Sequence, residues 1–522
     1  MRPRVVVIGA GFGGLAAAVR LQARGYQVTL IERRDAPGGR AYVYRDRGHV
    51  FDAGPTVITA PWLIDELFTL AGRRADDYLR FVELDPYYQI RFHDGRVFNY
   101  RGNEERMLAE VERFAPADVD GYRRFQRASE QIFKKGFEEL GDVPFSYFGD
   151  MVRVAPALVR LRAYRSVYGM AKAHFRDEAL RQVMSFHPLL IGGHPFAASA
   201  IYSMIHFLEL KWGVHFPLGG TGAIVAALAQ LFGELGGELR LGETVEEVVV
   251  EKGRAAGVRL AGGVVVRARY VVANTDAGFL YQHLLGQRER RRWTHGRLEH
   301  TRFSMSLFVA YFGVDRRYDD VMHHTILLGP RYRGLIDDIF RRRVLAEDFS
   351  LYLHRPTATD PTLAPPGCDT YYVLSPVPNL EEGGQRIDWE ADAERYRERL
   401  FAHLEATLMP GLRSHLRVVR HITPLTFRDE LLSLHGAAFS FEPLLWQSAY
   451  FRPHNRSEEV KNLFLVGAGT HPGAGLPGVL CSARVVDRLI PRLDHEGDGR
   501  NPIAGSHSYQ IDTEANPKEV MT

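Results

Sequence analysis

The chain has 522 residues, 45% of them hydrophobic and 25% charged, as in a globular protein of two or three folding units. Its 66 basic and 63 acidic residues leave a net charge of +3, which argues against a general nucleic-acid-binding surface. Two cysteines exclude a disulfide framework and favour a reducing, cytoplasmic compartment. No apolar run reaches about 18 residues, so no transmembrane helix is predicted.

A glycine-rich turn near the start of the chain separates a strand from a helix. Val5–Ile8 is a β-branched run typical of a buried strand, and Leu15–Ala23 has helical periodicity. The turn between them has the spacing G-x-G-x-x-G, and its glycines are Gly9, Gly11, Gly13 and Gly14. This spacing permits a tight turn, close approach of the backbone to a pyrophosphate and close packing of helix on strand. It predicts phosphate binding at the helix N-terminus.

The next strand, Gln27–Ile31, ends in Glu32. A carboxylate at this position accepts hydrogen bonds from both ribose hydroxyls and repels a 2′-phosphate, so NADP is disfavoured. Because strand, turn, helix, strand and acid occur in the expected order, the segment predicts a dinucleotide site rather than a purely structural turn.

Two further turns follow before residue 60. Gly39 and Arg40 offer another close backbone approach and a guanidinium for phosphate. A second tight turn contains Gly54, Pro55 and Thr56. It suits the longer FAD molecule better than NAD, although an ordinary strand-to-helix turn explains it equally well.

The C-terminal part contains a second nucleotide-type loop, and this loop indicates that the cofactor is FAD rather than NAD. Leu463–Val466 is predicted to be a strand, and Val479–Ile490 a helix that begins near a proline. The N-terminus of that helix is expected to stabilise negative charge on the reduced flavin ring. The loop residues predicted to bind the cofactor are Gly467, Ala468, Gly475, Pro477 and Gly478.

A middle segment is predicted to close over the adenosine half of FAD. It contains strands Glu238–Leu241, Thr244–Val250 and Tyr270–Ala273, and we expect contacts from the Val245 backbone and from Asn274. The class is therefore α/β with an α+β substrate part. The predicted organisation comprises a discontinuous Rossmann-like FAD-binding domain (1–85, 216–290 and 456–492), a helical membrane-associating substrate region (86–215), a mixed-sheet substrate domain (291–455) and a disordered tail (493–522).

The segment Met151–Arg176 has no acidic residue, and six Arg or Lys alternate there with Leu, Tyr and Met. This composition suits an interfacial helix on anionic lipid, but an ordinary cationic helix packed on the domain is the alternative. Asp150 and Arg153 lie at the predicted start of this helix. They are candidate acid–base residues, although a helix cap is the simpler explanation of Asp150.

The 21 histidines give no metal signature. The densest groups are His323-His324, His187 with His194, and His206 with His215, and none has the H-x-x-x-H or H-E-x-x-H spacing. We therefore predict no metal site and assign these histidines structural or pocket-lining roles.

Nearly the whole chain, from Val5 to Ile490, resembles the bacterial-type phytoene desaturases of carotenoid synthesis, within the amine-oxidase-like flavoproteins. The most specific stretches are "FHPLLIGGHPF" from Phe186, "LKWGVHFPLGGTGA" from Leu210, "FRPHNR" from Phe451 and "VGAGTHPGAGLPGV" from Val466.

The resemblance implies an FAD enzyme that dehydrogenates 15-cis-phytoene stepwise to neurosporene or lycopene by hydride transfer to flavin. It also implies a peripheral position on the inner face of the cell membrane and a terminal electron acceptor such as oxygen or a quinone. Alternatives with the same fold are a diapophytoene desaturase, an isomerase, a saturase, a ketolase or a non-catalytic prenyl-binding relative. The intact glycine set and Glu32 argue against the last of these.

Overall fold

The computed structural model describes residues 2–384 and 387–493. Its strands are β1 (Arg4–Ile8), β2 (Gln27–Ile31), β3 (Val43–Asp46), β4 (His49–Asp52), β5 (Phe81–Glu83), β6 (Tyr88–Phe92), β7 (Val97–Tyr100), β8 (His215–Pro217), β9 (Glu238–Arg240), β10 (Val245–Glu251), β11 (Arg254–Leu260), β12 (Val265–Arg267), β13 (Tyr270–Ala273), β14 (Ser306–Val314), β15 (His324–Leu328), β16 (Leu351–His354), β17 (Asp369–Val377), β18 (Leu416–Ile422) and β19 (Leu463–Leu465). The tail predicted for 493–522 lies outside the described residues, apart from Leu493.

The α-helices lie between these strands, and six of them, α3 to α8, follow one another without an intervening strand. They are α1 (Phe12–Ala23), α2 (Trp62–Leu70), α3 (Glu104–Phe114), α4 (Val119–Phe133), α5 (Phe148–Arg160), α6 (Val167–His174), α7 (Glu178–Val183), α8 (Met204–Trp212), α9 (Thr221–Glu234), α10 (Ala277–Phe279), α11 (His295–Glu299), α12 (Tyr332–Asp337), α13 (Trp389–Thr407), α14 (Leu412–His415), α15 (Pro424–Asp429) and α16 (Leu476–Leu489).

A five-stranded parallel sheet collects strands from three distant parts of the chain, in the order β19-β13-β1-β2-β9. One face packs on α1, α9 and α16, and the other lies against the antiparallel sheet β10-β11-β12. Because both faces are covered, its strands are almost continuously apolar, as in parallel sheets generally. Its strands come from the three segments predicted for the discontinuous domain, whose residue boundaries stay predictions.

A second sheet has seven strands in the order β18-β14-β17-β16-β15-β6-β7. It is mixed, because β15 and β6 run parallel while its other pairs are antiparallel. In β14, Phe308 and Phe312 pack towards α13, whereas Leu307 and Val309 line a cavity on the opposite face. This alternation explains why every residue of β14 is buried.

The segment from α3 to α8 is mainly helical and lies beside the second sheet. Residues 151–176, which the sequence suggested as one interfacial helix, form two helices, α5 and α6. Two hydrogen bonds to backbone carbonyls hold the break, since Ser199 Oγ donates to the Ala163 carbonyl and the Ala200 amide donates to the Arg165 carbonyl. Among the described residues, no helix combines the length and the apolar character that crossing a membrane requires.

Candidate functional site

The carboxyl ends of the parallel strands surround one end of a cavity of about 480 Å³. Gly9 follows β1, Glu32 follows β2, Asn274 follows β13, and Gly467 lies two residues beyond β19. The chain crosses to the other side of β1 between β2 and β13, and such a switch point is where open α/β sheets bind ligands.

At three glycines of this turn, a side chain would collide with neighbouring atoms. A Cβ on Gly11 would lie 2.9 Å from Asn274 Nδ2, and one on Gly13 would lie 2.5 Å from Asn274 Oδ1. A Cβ on Gly14 would lie 2.0 Å from the Gly9 carbonyl oxygen, which is backbone. Gly14 therefore serves the packing of α1 on β1, whereas Gly11 and Gly13 keep the cavity open.

Glu32 is a buried carboxylate at the cavity wall, with only 6% of its surface exposed. Its Oε2 accepts from the Ala10 amide at 2.8 Å, and its Oε1 accepts from the Arg34 amide at 3.0 Å. The glycine turn thus holds the acid in place, and each oxygen keeps lone pairs for a further donor.

Arg40 follows Gly39, whose φ of 56° is left-handed. Its Nη2 donates to Ser433 Oγ at 2.7 Å, while its Nε is buried without a hydrogen-bond partner among the described residues. Burial lowers the pKa of this guanidinium. The unpartnered Nε of this buried cation would be satisfied by an anionic group bound at this point in the cavity.

The last helix begins at the same cavity. Gly475 has a φ of 96°, and Leu476, Pro477 and Gly478 line the wall as the first turn of α16. The Gly467 amide donates to Ser482 Oγ at 2.9 Å, which fixes the loop against the helix. The open N–H groups of this first turn favour a ligand with negative charge.

The structure brings all but one of the predicted cofactor residues to the cavity. Those that line the cavity are Gly9, Gly11, Gly13, Glu32, Gly39, Arg40, Gly54, Pro55, Thr56, Val245, Asn274, Gly467, Ala468, Gly475, Pro477 and Gly478. Gly14 lies behind them.

The two candidate acid–base residues lie elsewhere. Asp150 is the third residue of α5, and its Oδ2 accepts from the Tyr147 amide at 3.0 Å in a capping box. Arg153 is exposed, and neither side chain is among those lining the cavity. The geometry supports the helix-cap interpretation that the sequence left open, and a catalytic role for this pair stays an untested prediction.

Beyond the polar end, the cavity becomes apolar. One wall is the second sheet, with Leu307, Val309, Ile326, Leu351 and Leu374 pointing inwards. The facing wall is helical, and its residues include Leu189, Leu190, Ile191, Met204, Ile205 and Leu208. Thr56 marks the junction, because its Oγ1 lies 2.5 Å from the Tyr372 hydroxyl and 3.0 Å from that of Tyr352.

Glu209 is a site residue that sequence reasoning missed. It lines the cavity on α8 and is 1% exposed. Its Oε1 accepts from the Tyr88 hydroxyl at 2.7 Å, and its Oε2 lies 3.2 Å from His187 Nε2. The other lining carboxylates belong to segments beside the nucleotide end: Glu32, Glu243, Asp276 and Glu430. The one sequence signal was an acid in the mainly apolar helix start MIHFLE, whose only other polar residue is His206.

Comparison with known proteins identifies the family. A model of the family described as "Flavin containing amine oxidoreductase" matches residues 12–486. The chain belongs to this family. It is 51% identical to "Phytoene desaturase (lycopene-forming)" of Pantoea ananas over 94% of this chain and 99% of that protein. It is 49% identical to "Phytoene desaturase (neurosporene-forming)" of Cereibacter sphaeroides over 94% of each.

Solved structures of the amine oxidoreductase family share the fold. Cyclohexylamine oxidase from Brevibacterium oxydans superposes with a TM-score of 0.59 at 17% identity, covering 93% of this chain and 98% of that one. The chain is therefore an FAD-dependent oxidoreductase, and its sequence is similar to those of bacterial phytoene desaturases.

The cavity of this family member fits FAD. Gly11 and Gly13 line the cavity without side chains, so their backbone can approach a pyrophosphate closely. An anion bound beside Arg40 would satisfy its unpartnered Nε. Glu32, Val245 and the first residues of α16 all line this cavity, and their contacts with the ribose, the adenine and the flavin ring stay predictions.

Replacing Glu32 is expected to weaken FAD binding without abolishing it. In Glu32→Ala, the loss of a buried charge-assisted hydrogen bond costs about 1–3 kcal/mol of binding free energy. Titration of apo-protein with FAD measures this change. Glu247→Ala, which removes an exposed carboxylate paired with Arg259 on the neighbouring sheet, is the control. Equal FAD affinity in Glu32→Ala and Glu247→Ala would show that Glu32 does not bind the cofactor.

Proposed function

We propose that this enzyme is a phytoene desaturase, which converts phytoene stepwise to neurosporene or lycopene. The observation that carries the proposal is the apolar extension of the FAD cavity, which lies between the second sheet and α8. Similarity favours the C40 substrate, because the chain is 51% identical to a phytoene desaturase but 34% identical to a diapophytoene desaturase of Methylomonas. Lycopene-forming and neurosporene-forming relatives are almost equally similar, so both products remain in the proposal.

The chemistry removes two hydrogens from neighbouring carbons and leaves a double bond. Bound FAD supplies the acceptor for the hydride, and the adjacent carbon loses a proton. The chain contributes positioning, since the apolar walls hold an extended hydrocarbon and exclude water from the reacting carbons. Positive charge that develops at an allylic carbon is delocalised. Reoxidation by oxygen or a quinone belongs to the proposal.

Glu209 is proposed to accept the proton. It is a buried carboxylate in the apolar part of the cavity, and Tyr88 and His187 hold it in one orientation. Each carboxylate oxygen keeps a lone pair after these contacts, so one can take the proton that leaves carbon. The electron pair of that C–H bond becomes the new C=C bond.

The substrate assignment is tested by product analysis. FAD-loaded enzyme is incubated in liposomes with phytoene or with diapophytoene, without NAD(P), and products are separated by chromatography. We expect conjugated polyenes mainly from phytoene. A strict NAD(P) requirement would contradict the cofactor assignment, and faster conversion of diapophytoene would contradict the substrate assignment.

The water-insoluble substrate also motivates a proposed membrane contact at α5. On this helix, Phe148, Val152 and Val159 recur on one face and are 59%, 58% and 64% exposed. Exposed Tyr147, Tyr164 and Trp446 lie in the flanking and adjoining segments. An apolar stripe that faces outwards is typical of interfacial helices. The "α5 stripe" below means Phe148, Val152 and Val159.

Charge and position support the same contact. Arg153, Arg160 and Arg162 are exposed and form no ion pair within the described part of the chain. Each is worth roughly 1 kcal/mol near an anionic surface. Behind the helix break, Val167 packs in a cluster with Ile191 and Tyr202, which line the cavity. The α5 stripe is therefore proposed to dock beside a cavity entrance on the inner face of the cell membrane.

A charge in the α5 stripe is expected to weaken vesicle binding. Val152→Asp places a carboxylate where the helix enters lipid, so co-sedimentation with anionic vesicles and turnover of vesicle-dissolved phytoene fall together. Val264→Asp is the matched control, because Val264 is 60% exposed on a distant hairpin. FAD content stays unchanged in both variants. Equal sedimentation of the two would place the membrane contact elsewhere.

A further inference from the structure

Three buried histidines lie together behind the cavity wall. His324 is the first residue of β15 and pairs with His354, the last residue of β16, while His323 directly precedes β15. Their exposed fractions are 6% for His323, 0% for His324 and 1% for His354. One ring nitrogen from each residue lies within 4.8 Å of the corresponding nitrogens of the other two.

Most of these ring nitrogens lack partners among the described residues. His323 Nδ1 lies 2.7 Å from Thr359 Oγ1, and His324 Nδ1 lies 2.7 Å from the Tyr352 hydroxyl. The Nε2 atoms of these two residues and both nitrogens of His354 are buried without a hydrogen-bond partner in this part of the chain. Buried polar atoms are normally satisfied, so this concentration points to a ligand.

The arrangement of the rings suits a metal ion. The three ring centroids are 4.5, 4.9 and 5.2 Å apart. Two imidazoles on a tetrahedral ion, with metal–nitrogen distances of about 2.0–2.1 Å, have centroids about 5 Å apart.

We propose that His323, His324 and His354 form a binding site for one divalent first-row metal ion, of the class represented by Zn²⁺. Thr359 and Tyr352 hold the Nδ1 atoms of two ligands and leave their Nε2 atoms for the ion, as hydrogen-bonded neighbours do in known histidine sites. The fourth position is open to water or an anion.

The charged residues around the three histidines are compatible with a bound divalent cation. The neighbouring cation Arg355 is already paired at 3.0 Å with both Asp369 and Asp319. Tyr352 contacts His324 on one side and lines the cavity on the other. The bound ion would thus tie β15 to β16 and steady this part of the cavity wall. This inference is independent of the substrate proposed above.

The test uses untagged, FAD-loaded full-length protein, purified without a metal column and dialysed against a chelator. It is titrated with Zn²⁺ against a chromophoric chelator, and with Co²⁺ as a spectroscopic probe of geometry. We expect one ion per chain, tetrahedral Co²⁺ bands, and loss of this binding in His354→Gln. His300→Gln, at an exposed histidine, is expected to bind like the parent.

Two further measurements separate loss of metal binding from loss of the fold. Thr359→Val keeps all three ligands but removes the partner of His323, so affinity is expected to fall about 10- to 100-fold. FAD content reports whether each variant is folded. Absence of stoichiometric binding by the parent protein would overturn the proposal by itself, as would equal binding by the parent and a folded His354→Gln.

Discussion

Gly11→Val is expected to abolish FAD binding while the chain still folds. Even the Cβ of such a side chain would lie 2.9 Å from Asn274 Nδ2, and the two methyl groups would extend into the space assigned to the pyrophosphate. Because the neighbouring atom is the end of a side chain and not backbone, Asn274 can move aside and the fold persists. The purified variant should be colourless and inactive, with the circular dichroism of the parent.

The matched control is Gly233→Val on α9. A Cβ on Gly233 would point into open space, so the valine variant should retain the parent's flavin content. Gly14→Ala gives a useful contrast, because its Cβ would lie 2.0 Å from the Gly9 backbone oxygen and should unfold the nucleotide-binding part. Full flavin content in Gly11→Val would mean that the pyrophosphate lies elsewhere.

Glu209→Gln is expected to lower turnover about 100-fold, near the lower end of the range for a positioned general base. Glutamine has the same shape and still accepts a hydrogen bond from Tyr88 through its amide oxygen, but it cannot hold the substrate proton. FAD content and vesicle binding should not change, because glutamine keeps the shape of the side chain and Glu209 belongs neither to the predicted FAD-binding residues nor to α5. Turnover per bound flavin is the quantity to measure.

Glu110→Gln is the control for removing a buried carboxylate. Glu110 is 8% exposed and pairs with Arg113, outside the residues that line the cavity. It is expected to affect stability but not turnover per bound flavin. If Glu209→Gln were as active as Glu110→Gln, Glu209 would be a structural partner of Tyr88 and His187, and the proton would have another acceptor.

The nucleotide-binding part was largely predictable from sequence because its signals are local. The strand Gln27–Ile31 and the strand Tyr270–Ala273 have the predicted bounds, and the residue after each lines the cavity. In a parallel sheet the carboxyl ends of the strands lie at the same edge. Residues that follow separately predicted strands are therefore expected to lie close together in one site.

Other features depend on contacts between distant residues. Glu209 becomes a fixed acid only when β6 brings Tyr88 beside it. His354 joins His323 and His324 through pairing of β16 with β15, which spacing along the sequence could not reveal. The sequence of α5 contains the apolar repeat, but only tertiary packing decides that the repeat faces outwards.

The central claim, FAD-dependent desaturation of phytoene, is tested most directly by one anaerobic experiment. Fully FAD-loaded enzyme is mixed with phytoene in vesicles, without any other electron acceptor, and flavin absorbance and products are followed together. We predict bleaching of the flavin, with one new double bond formed per flavin reduced. Unchanged oxidised flavin in the presence of bound phytoene, or a product formed without flavin reduction, as an isomerase would give, would contradict this account.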